Sequence, residues 1–247
     1  MKGLCVLGAT GSVGRSTLDV AARSPEHWRI DTLTACQDAE GMAELVRQYR
    51  PARVVMTEPD AADRLRQRLG ATAGCEVLAG AEALSEVVTA SEVDTVMAAI
   101  VGAAGLAPTL AAARAGKRVA LATKEALVTA GDLLMRAVAE RGAVLLPVDS
   151  EHNAIFQCLP SSYVCGRRPA EVRRLVLTAS GGPFLDWSWD QMRAATPAQA
   201  VAHPNWDMGQ KISVDSATMM NKGLELIEAA YLFAMPASDI DIIVHRQ

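Results

Sequence analysis

The 247-residue chain has room for one large domain or two ordinary ones. Half of its residues are hydrophobic and 21% are charged, which is globular composition and excludes a disordered polar chain. Lys and Arg total 24 against 28 Asp and Glu, and no basic run is interleaved with aromatics, so a nucleic-acid-binding surface is not expected.

The N-terminus, MKGLCVLGATGSVG, begins a strand. It lacks the long apolar core and small-residue cleavage site of a signal peptide. Strands are expected over 4–7, 28–34, 53–56, 95–99, 118–122 and 143–148. Helical patterns separate them, over 13–22, 39–49, 61–69, 106–115 and 127–140. Strand–helix alternation predicts an α/β fold, a Rossmann-like doubly wound parallel sheet with helices on both faces. The longest uncharged run, Thr95 to Ala113, is interrupted by Gly102, Gly105 and Pro108. It reads as a buried strand, a turn and a packed helix, and no membrane span is expected. The cysteines, Cys5, Cys36, Cys75, Cys158 and Cys165, are odd in number and none has CxxC spacing. Reduced thiols and a cytoplasmic location are the expectation.

After Val148 the rhythm changes, which places a boundary between a dinucleotide-binding domain, 1–148, and a second, α+β domain, 149–247. Residues 172–177 form another apolar run, followed by Ser180-Gly181-Gly182-Pro183. Residues 184–211 read as a long functional loop, and a helix is expected from about 216 to 233. The chain closes on a further strand pattern over 239–245, which suggests a fragment of a longer protein.

Gly8, Gly11 and Gly14 lie between the first strand and the first helix. Glycines permit a tight turn and let backbone N–H groups approach phosphate, and the helix N-terminus adds partial positive charge. The spacing is GxxGxxG, which suits a dinucleotide, although a ligand-free strand–helix turn would use the same residues. At the end of the second strand, Asp38 is either the acid that binds a ribose 2′-hydroxyl or a helix N-cap. That leaves NAD against NADP open.

The stretch PVDSEHN, 147–153, ends an apolar run in two acids. As i and i+2 of a strand, Asp149 and Glu151 would point into one volume, and two like charges there require a cation. Further on, Asn221 and Glu225 are i and i+4 of a helix, and Lys222 and Glu225 are i and i+3. Asp149, Glu151 and Glu225 would make an all-oxygen site suited to Mg²⁺ or Mn²⁺ rather than Zn²⁺. The alternative for Asp149 and Glu151 is a helix N-cap and first turn, and the two readings can coexist. His152 should point away from its neighbours and is read as a helix-packing or surface histidine. Ser180-Gly181-Gly182 offers a backbone nest for phosphate, with His203, Ser216, Asn221 and Lys222 as donors. Lys124 follows a strand at the carboxyl end of the sheet, where open α/β folds bind ligands, or is a solvated helix-start residue. Trp206 and Met208 are read as parts of a lid or as core anchors.

The stretches GATGSVGRSTLDV, VMAAIVGAAGL, PVDSEHNAIFQCL, TASGGPF and HPNWDMGQKISVDSATMMNKGLELIEA closely resemble the 1-deoxy-D-xylulose 5-phosphate reductoisomerase family. The resemblance runs along the whole chain, and the last stretch is highly specific. It implies metal-dependent isomerisation of 1-deoxy-D-xylulose 5-phosphate and its reduction by NADPH to 2-C-methyl-D-erythritol 4-phosphate, in the non-mevalonate isoprenoid pathway. It implies Mg²⁺ or Mn²⁺ held by Asp149, Glu151 and Glu225, with Glu151 also a proton-transfer candidate. Lys124, Ser150, Glu151, Ser180, His203, Ser216, Asn221, Lys222 and Glu225 resemble the family's substrate-binding groups, and Lys124 and Glu151 its catalytic ones. Thr10, Gly11, Ser12, Val13, Thr123, Glu125 and Gly209 match cofactor contacts, and the segment around Trp206 resembles a flap that closes over substrate. A homodimer is implied for the full-length form, and the family's C-terminal helical domain is absent from this chain. Cys36-Gln37-Asp38 departs from the family's usual Gly, basic residue and Asn or Ser, which weakens the NADP assignment and could shift preference toward NAD. Thr123 and Ala126 also depart, from Asn and Ser. Two rivals remain: a semialdehyde dehydrogenase using a nucleophilic cysteine such as Cys158, and a chain that binds nucleotide without completing catalysis.

Overall fold

The structure, a computed structural model, describes residues 1–70, 74–203 and 209–245. It divides into two compact units, Met1–Asp149 and Ser150–Gln247.

The first unit alternates strands and helices. In order they are β1 Lys2–Leu7, α1 Ser12–Ala22, β2 Trp28–Ala35, α2 Ala39–Tyr49, β3 Arg53–Met56, α3 Pro59–Leu69 and β4 Glu76–Ala79. There follow α4 Glu82–Thr89, β5 Thr95–Ala98, α5 Leu106–Arg114, β6 Arg118–Leu121, α6 Glu125–Arg141 and β7 Val144–Pro147. The sheet has seven strands in the order β4-β3-β2-β1-β5-β6-β7, and every pairing is parallel. This is the doubly wound Rossmann-like arrangement. Its order reverses between β1 and β5, and open α/β sheets bind ligands at the carboxyl ends of the strands beside such a point.

The strands are apolar because both faces are covered. Cys5, Val6, Leu7, Leu33, Val54 and Val96 are all buried, and burying each large aliphatic side chain contributes about 1.5–3 kcal/mol. The uncharged run 95–113 folds as β5, a single 3-10 turn over Ala103–Gly105 and α5. No helix among the described residues is long and apolar enough to cross a membrane. β4 and α4 were not expected from the sequence. β4 is a four-residue edge strand that is half exposed, so its apolar signal is short.

The second unit contains α7 Ser150–Cys158, β8 Leu175–Ala179, α8 Trp189–Arg193, α9 Pro197–Ala200, α10 Gln210–Ala217, α11 Met220–Phe233 and β9 Ile240–Val244. β8 and β9 pair in parallel, and α11 lies between them in sequence. Two readings are corrected here. Residues 184–211 include two short helices, each opened by a capping box, Ser188 with Gln191 and Thr196 with Gln199. The helix expected over 216–233 is two helices, because Met219 adopts a left-handed backbone, φ 60°, between α10 and α11.

Candidate active site

At the end of β1 the chain turns through Gly8, whose φ of 81° favours glycine. The Gly8 N–H donates to Thr34 Oγ1 at 3.1 Å and the Ala9 N–H to the Thr34 carbonyl at 2.8 Å, which pins the turn to β2. Gly14 is buried against Gly8 and Ala9, where any side chain would collide with backbone. α1 begins after Gly11 with no side-chain cap and no acid in its first turn. The N–H groups around Ser12 and Val13 therefore face a position suited to an anion, with Thr10 beside them. All four predicted phosphate-turn residues, Thr10, Gly11, Ser12 and Val13, belong to this turn.

Asp38 is the N-cap of α2: its Oδ1 accepts from the Gly41 N–H at 2.8 Å. Of the two roles read for it in the sequence, the structure realises the cap. Elsewhere in the first unit, Thr123 and Lys124 are buried at the end of β6, and Glu125 opens α6. Lys124 is not a solvated helix-start residue. Its Nζ pairs with Asp149 Oδ2 at 2.6 Å.

The strand-end geometry expected for Asp149 and Glu151 does not occur, because β7 stops at Pro147. Glu151 stands in the first turn of α7 and Asp149 one residue ahead of that helix, so the helix-start alternative is the one the chain adopts. In the second unit the cation beside Glu151 is Lys222. Its Nζ lies 3.1 Å from Glu151 Oε1, forms a shorter ion pair with Glu225, and donates to the Thr178 carbonyl at 2.5 Å. Asn221 Nδ2 donates to Glu225 Oε1, as their i, i+4 spacing on α11 predicts. Glu225 is fully buried, and Lys222 is 4% exposed. Burial opposes ionisation of Glu151, but the Ser150 hydroxyl, bonded to Oε2 at 2.6 Å, and the Lys222 ammonium outweigh it and hold its carboxyl below the ordinary value.

After β8, Gly181 and Gly182 both have positive φ, 88° and 70°, so the chain curls back on Ser180, whose Oγ accepts from the Gly182 N–H at 3.3 Å. A side chain at Gly182 would strike the Ser216 carbonyl, so this glycine lets β8 approach the end of α10. His203 Nε2 lies 3.1 Å from Ser180 Oγ, and burial lowers the His203 pKa. Glu151, Ser180, Gly181, Ser216, Asn221 and Lys222 line a cavity of about 30 Å³, room for one water or one cation. Gly209 precedes α10 and is exposed. Trp206 and Met208 lie outside the described residues.

One buried acid was not singled out from the sequence. Glu228, one turn after Glu225, is fully buried, and its Oε2 lies 3.2 Å from Nδ1 of the equally buried His152. His152 Nε2 lies 2.9 Å from the Glu225 backbone oxygen. His152 is thus the helix-packing histidine, joining α7 to α11. The signal for Glu228 was present: it falls on the buried stripe Glu225, Glu228, Ala229, Leu232 at helical spacing.

The cysteines are all free thiols. Burial pushes Cys5 and Cys165 up to about 12, and Cys75 up to about 11, so none of these three supplies a thiolate nucleophile. Cys158 is exposed at the end of α7, away from the lined cavity.

Comparison with known proteins decides the family. Residues 4–131 match the model described as 1-deoxy-D-xylulose 5-phosphate reductoisomerase, and residues 145–233 match that of its C-terminal domain. The chain belongs to the 1-deoxy-D-xylulose 5-phosphate reductoisomerase family. A reductoisomerase of Methylococcus capsulatus is 58% identical over 249 residues, covering 100% of this chain and 63% of that protein. One from Pseudomonas putida is 57% identical, covering 99% and 61%. The chain thus spans under two thirds of these reductoisomerases' length. Among solved structures, a reductoisomerase in complex with NADPH, fosmidomycin and magnesium superposes with a TM-score of 0.91 at 47% identity, covering 100% of this chain and 62% of that one. The Zymomonas mobilis reductoisomerase in complex with NADPH gives 0.89 at 48% identity, with the same coverage.

Proposed function

We propose that this chain is the dinucleotide-binding and catalytic part of a 1-deoxy-D-xylulose 5-phosphate reductoisomerase, which isomerises that sugar phosphate and reduces it with NADPH to 2-C-methyl-D-erythritol 4-phosphate. The observation that carries the reading is the convergence of Glu151 and Glu225 on one buried ammonium, beside the glycine nest. Glu151 and Glu225 each offer a carboxylate oxygen within 4.8 Å of the other, a donor pair suited to a hard cation.

In this reading Glu151 and Glu225, with Asp149 one residue ahead of α7, hold Mg²⁺ or Mn²⁺. Such a cation supplies Lewis-acid polarisation of a carbonyl and its neighbouring hydroxyl. Ser180, Ser216, Asn221, Lys222 and His203 bind the substrate's phosphate and backbone through their N–H and O–H groups, and Ser150 and Lys124 contact its reacting end. Glu151, held ionised by Ser150 and Lys222, is able to accept a proton there. Thr10, Gly11, Ser12 and Val13 bind the NADPH pyrophosphate, and Thr123, Glu125 and Gly209 complete the cofactor contacts. The reductoisomerase complexes with NADPH and with magnesium support the same assignment. A homodimer of the full-length protein and a cytoplasmic location belong to the proposal, the latter supported by the free thiols.

The test is NADPH oxidation by the purified chain with 1-deoxy-D-xylulose 5-phosphate, with and without Mn²⁺, beside the Glu151→Gln variant. Metal-dependent oxidation that the variant loses is the expected result. NADPH binding without turnover would instead favour the second reading, a nucleotide-binding chain that needs the remaining part of the reductoisomerase, which is consistent with its 63% coverage of the Methylococcus protein.

A further inference from the structure

The loop Cys36-Gln37-Asp38 follows β2, the place where Rossmann-like folds meet the adenosine ribose. It carries no basic residue, yet two arginines reach it from outside. Arg64, on α3, donates from Nη2 to the Gln37 carbonyl at 3.2 Å. Arg15, on α1, donates from Nε to the Thr10 carbonyl at 3.1 Å, which turns its guanidinium toward Asp38 and Gly41. A side chain at position 41 would lie 2.9 Å from Arg15 Nη2 and closer still to the Asp38 carboxylate.

Two features disfavour an NAD-type ribose contact. The Asp38 carboxylate, the natural acceptor for a 2′-hydroxyl, already caps Gly41, and it shares its space with the Arg15 guanidinium. Of the other acids nearby, Glu58 lies on the next loop, where its N–H donates to the Cys36 carbonyl at 3.4 Å and its side chain is exposed, and Glu40, in the first turn of α2, pairs with Arg68 at 3.4 Å. Both guanidiniums are anchored to backbone carbonyls of the loops that follow β1 and β2, at Thr10 and Gln37, with further N–H donors left to direct at a phosphate.

Resting on the NADPH reading, we propose that Arg15 and Arg64 form the 2′-phosphate clamp of this chain, reaching in from α1 and α3 in place of a basic residue in the loop after β2. The sequence-level inclination toward NAD at Cys36-Gln37-Asp38 is then reversed by residues that lie far from it in sequence.

Calorimetric titration of the 247-residue chain with NADPH and with NADH tests this, using Arg64→Gln, Arg15→Gln and the double variant. Each charge-assisted contact to phosphate is expected to be worth about tenfold in affinity. NADPH should bind more tightly than NADH to the parent chain. Each single variant should lose NADPH affinity by about tenfold, with NADH affinity changed less than about twofold. Arg15 also supports the glycine turn, so a folding or turn defect would weaken both cofactors together, and that result in both single variants would overturn the clamp. An unchanged NADPH-to-NADH ratio, or a parent chain that prefers NADH, would overturn it as well. Failure of the parent chain to bind either dinucleotide would remove the clamp together with the cofactor reading beneath it.

Discussion

Lys222 Nζ lies 3.1 Å from Glu151 Oε1 while pairing at once with Glu225, so one buried ammonium holds two acids from different helices together. Removing that charge takes from the buried Glu225 the ammonium that it pairs with. Lys222→Met should destabilise the chain by about 3 kcal/mol, because breaking a buried pair strands the remaining charge. A bound divalent cation replaces the missing charge, so Mn²⁺ should raise the melting temperature of Lys222→Met more than that of the parent. Thermal melts with and without Mn²⁺ check this, and equal shifts would speak against a cation site at these acids.

The His152–Glu228 contact contains one proton. Nε2 faces a backbone carbonyl, which only accepts, so Nε2 carries a hydrogen. Nδ1 and the Glu228 carboxylate at 3.2 Å then need one further proton between them. Glu228→Gln keeps the side chain's size and gives it an amide able to donate to Nδ1, and should cost less than about 1 kcal/mol. Glu228→Ala should cost about 3 kcal/mol by denaturant unfolding. Equal losses in both variants would mean that the polar contact with His152 does not matter.

Gly182 has φ 70° and packs against the Ser216 carbonyl. Gly182→Ala combines left-handed strain of about 1–2 kcal/mol with a backbone collision. The variant should lose stability and also affinity for inorganic phosphate, measured by calorimetry. A stable variant with unchanged phosphate affinity would separate this nest from the phosphate site.

Glu151 has a folded-state pKa below its ordinary 4.5. A depressed carboxyl contributes stability that is complete above the unfolded value and is lost as pH falls through the folded one. Between pH 6 and 3.5 the parent chain should therefore lose stability that Glu151→Gln does not, and the loss should begin near pH 4.5. Urea midpoints across that range check the sign.

The β-strand pattern of the first unit was legible because buried parallel strands are continuous apolar runs, as in Val54-Val55-Met56. The edge strand β4 was not, since half-exposed residues carry no such run. At the site, Asn221, Lys222 and Glu225 were readable from helical spacing alone. Asp149 and Glu151 were read with strand periodicity, whereas Pro147 ends β7 and the next turn is helical. The break at Met219 was invisible, since methionine gives no warning of a left-handed backbone. Lys222 as the partner of Glu151 depends on a contact across 71 residues, which no local pattern predicts.

The most direct test is Mn²⁺ titration of the purified chain by electron paramagnetic resonance, with Glu151→Gln and Glu225→Gln beside it. Saturable Mn²⁺ binding by the parent chain that each variant weakens by about tenfold or more is the predicted result. Binding of Mn²⁺ that neither substitution alters would contradict the claim that these carboxylates hold the catalytic cation.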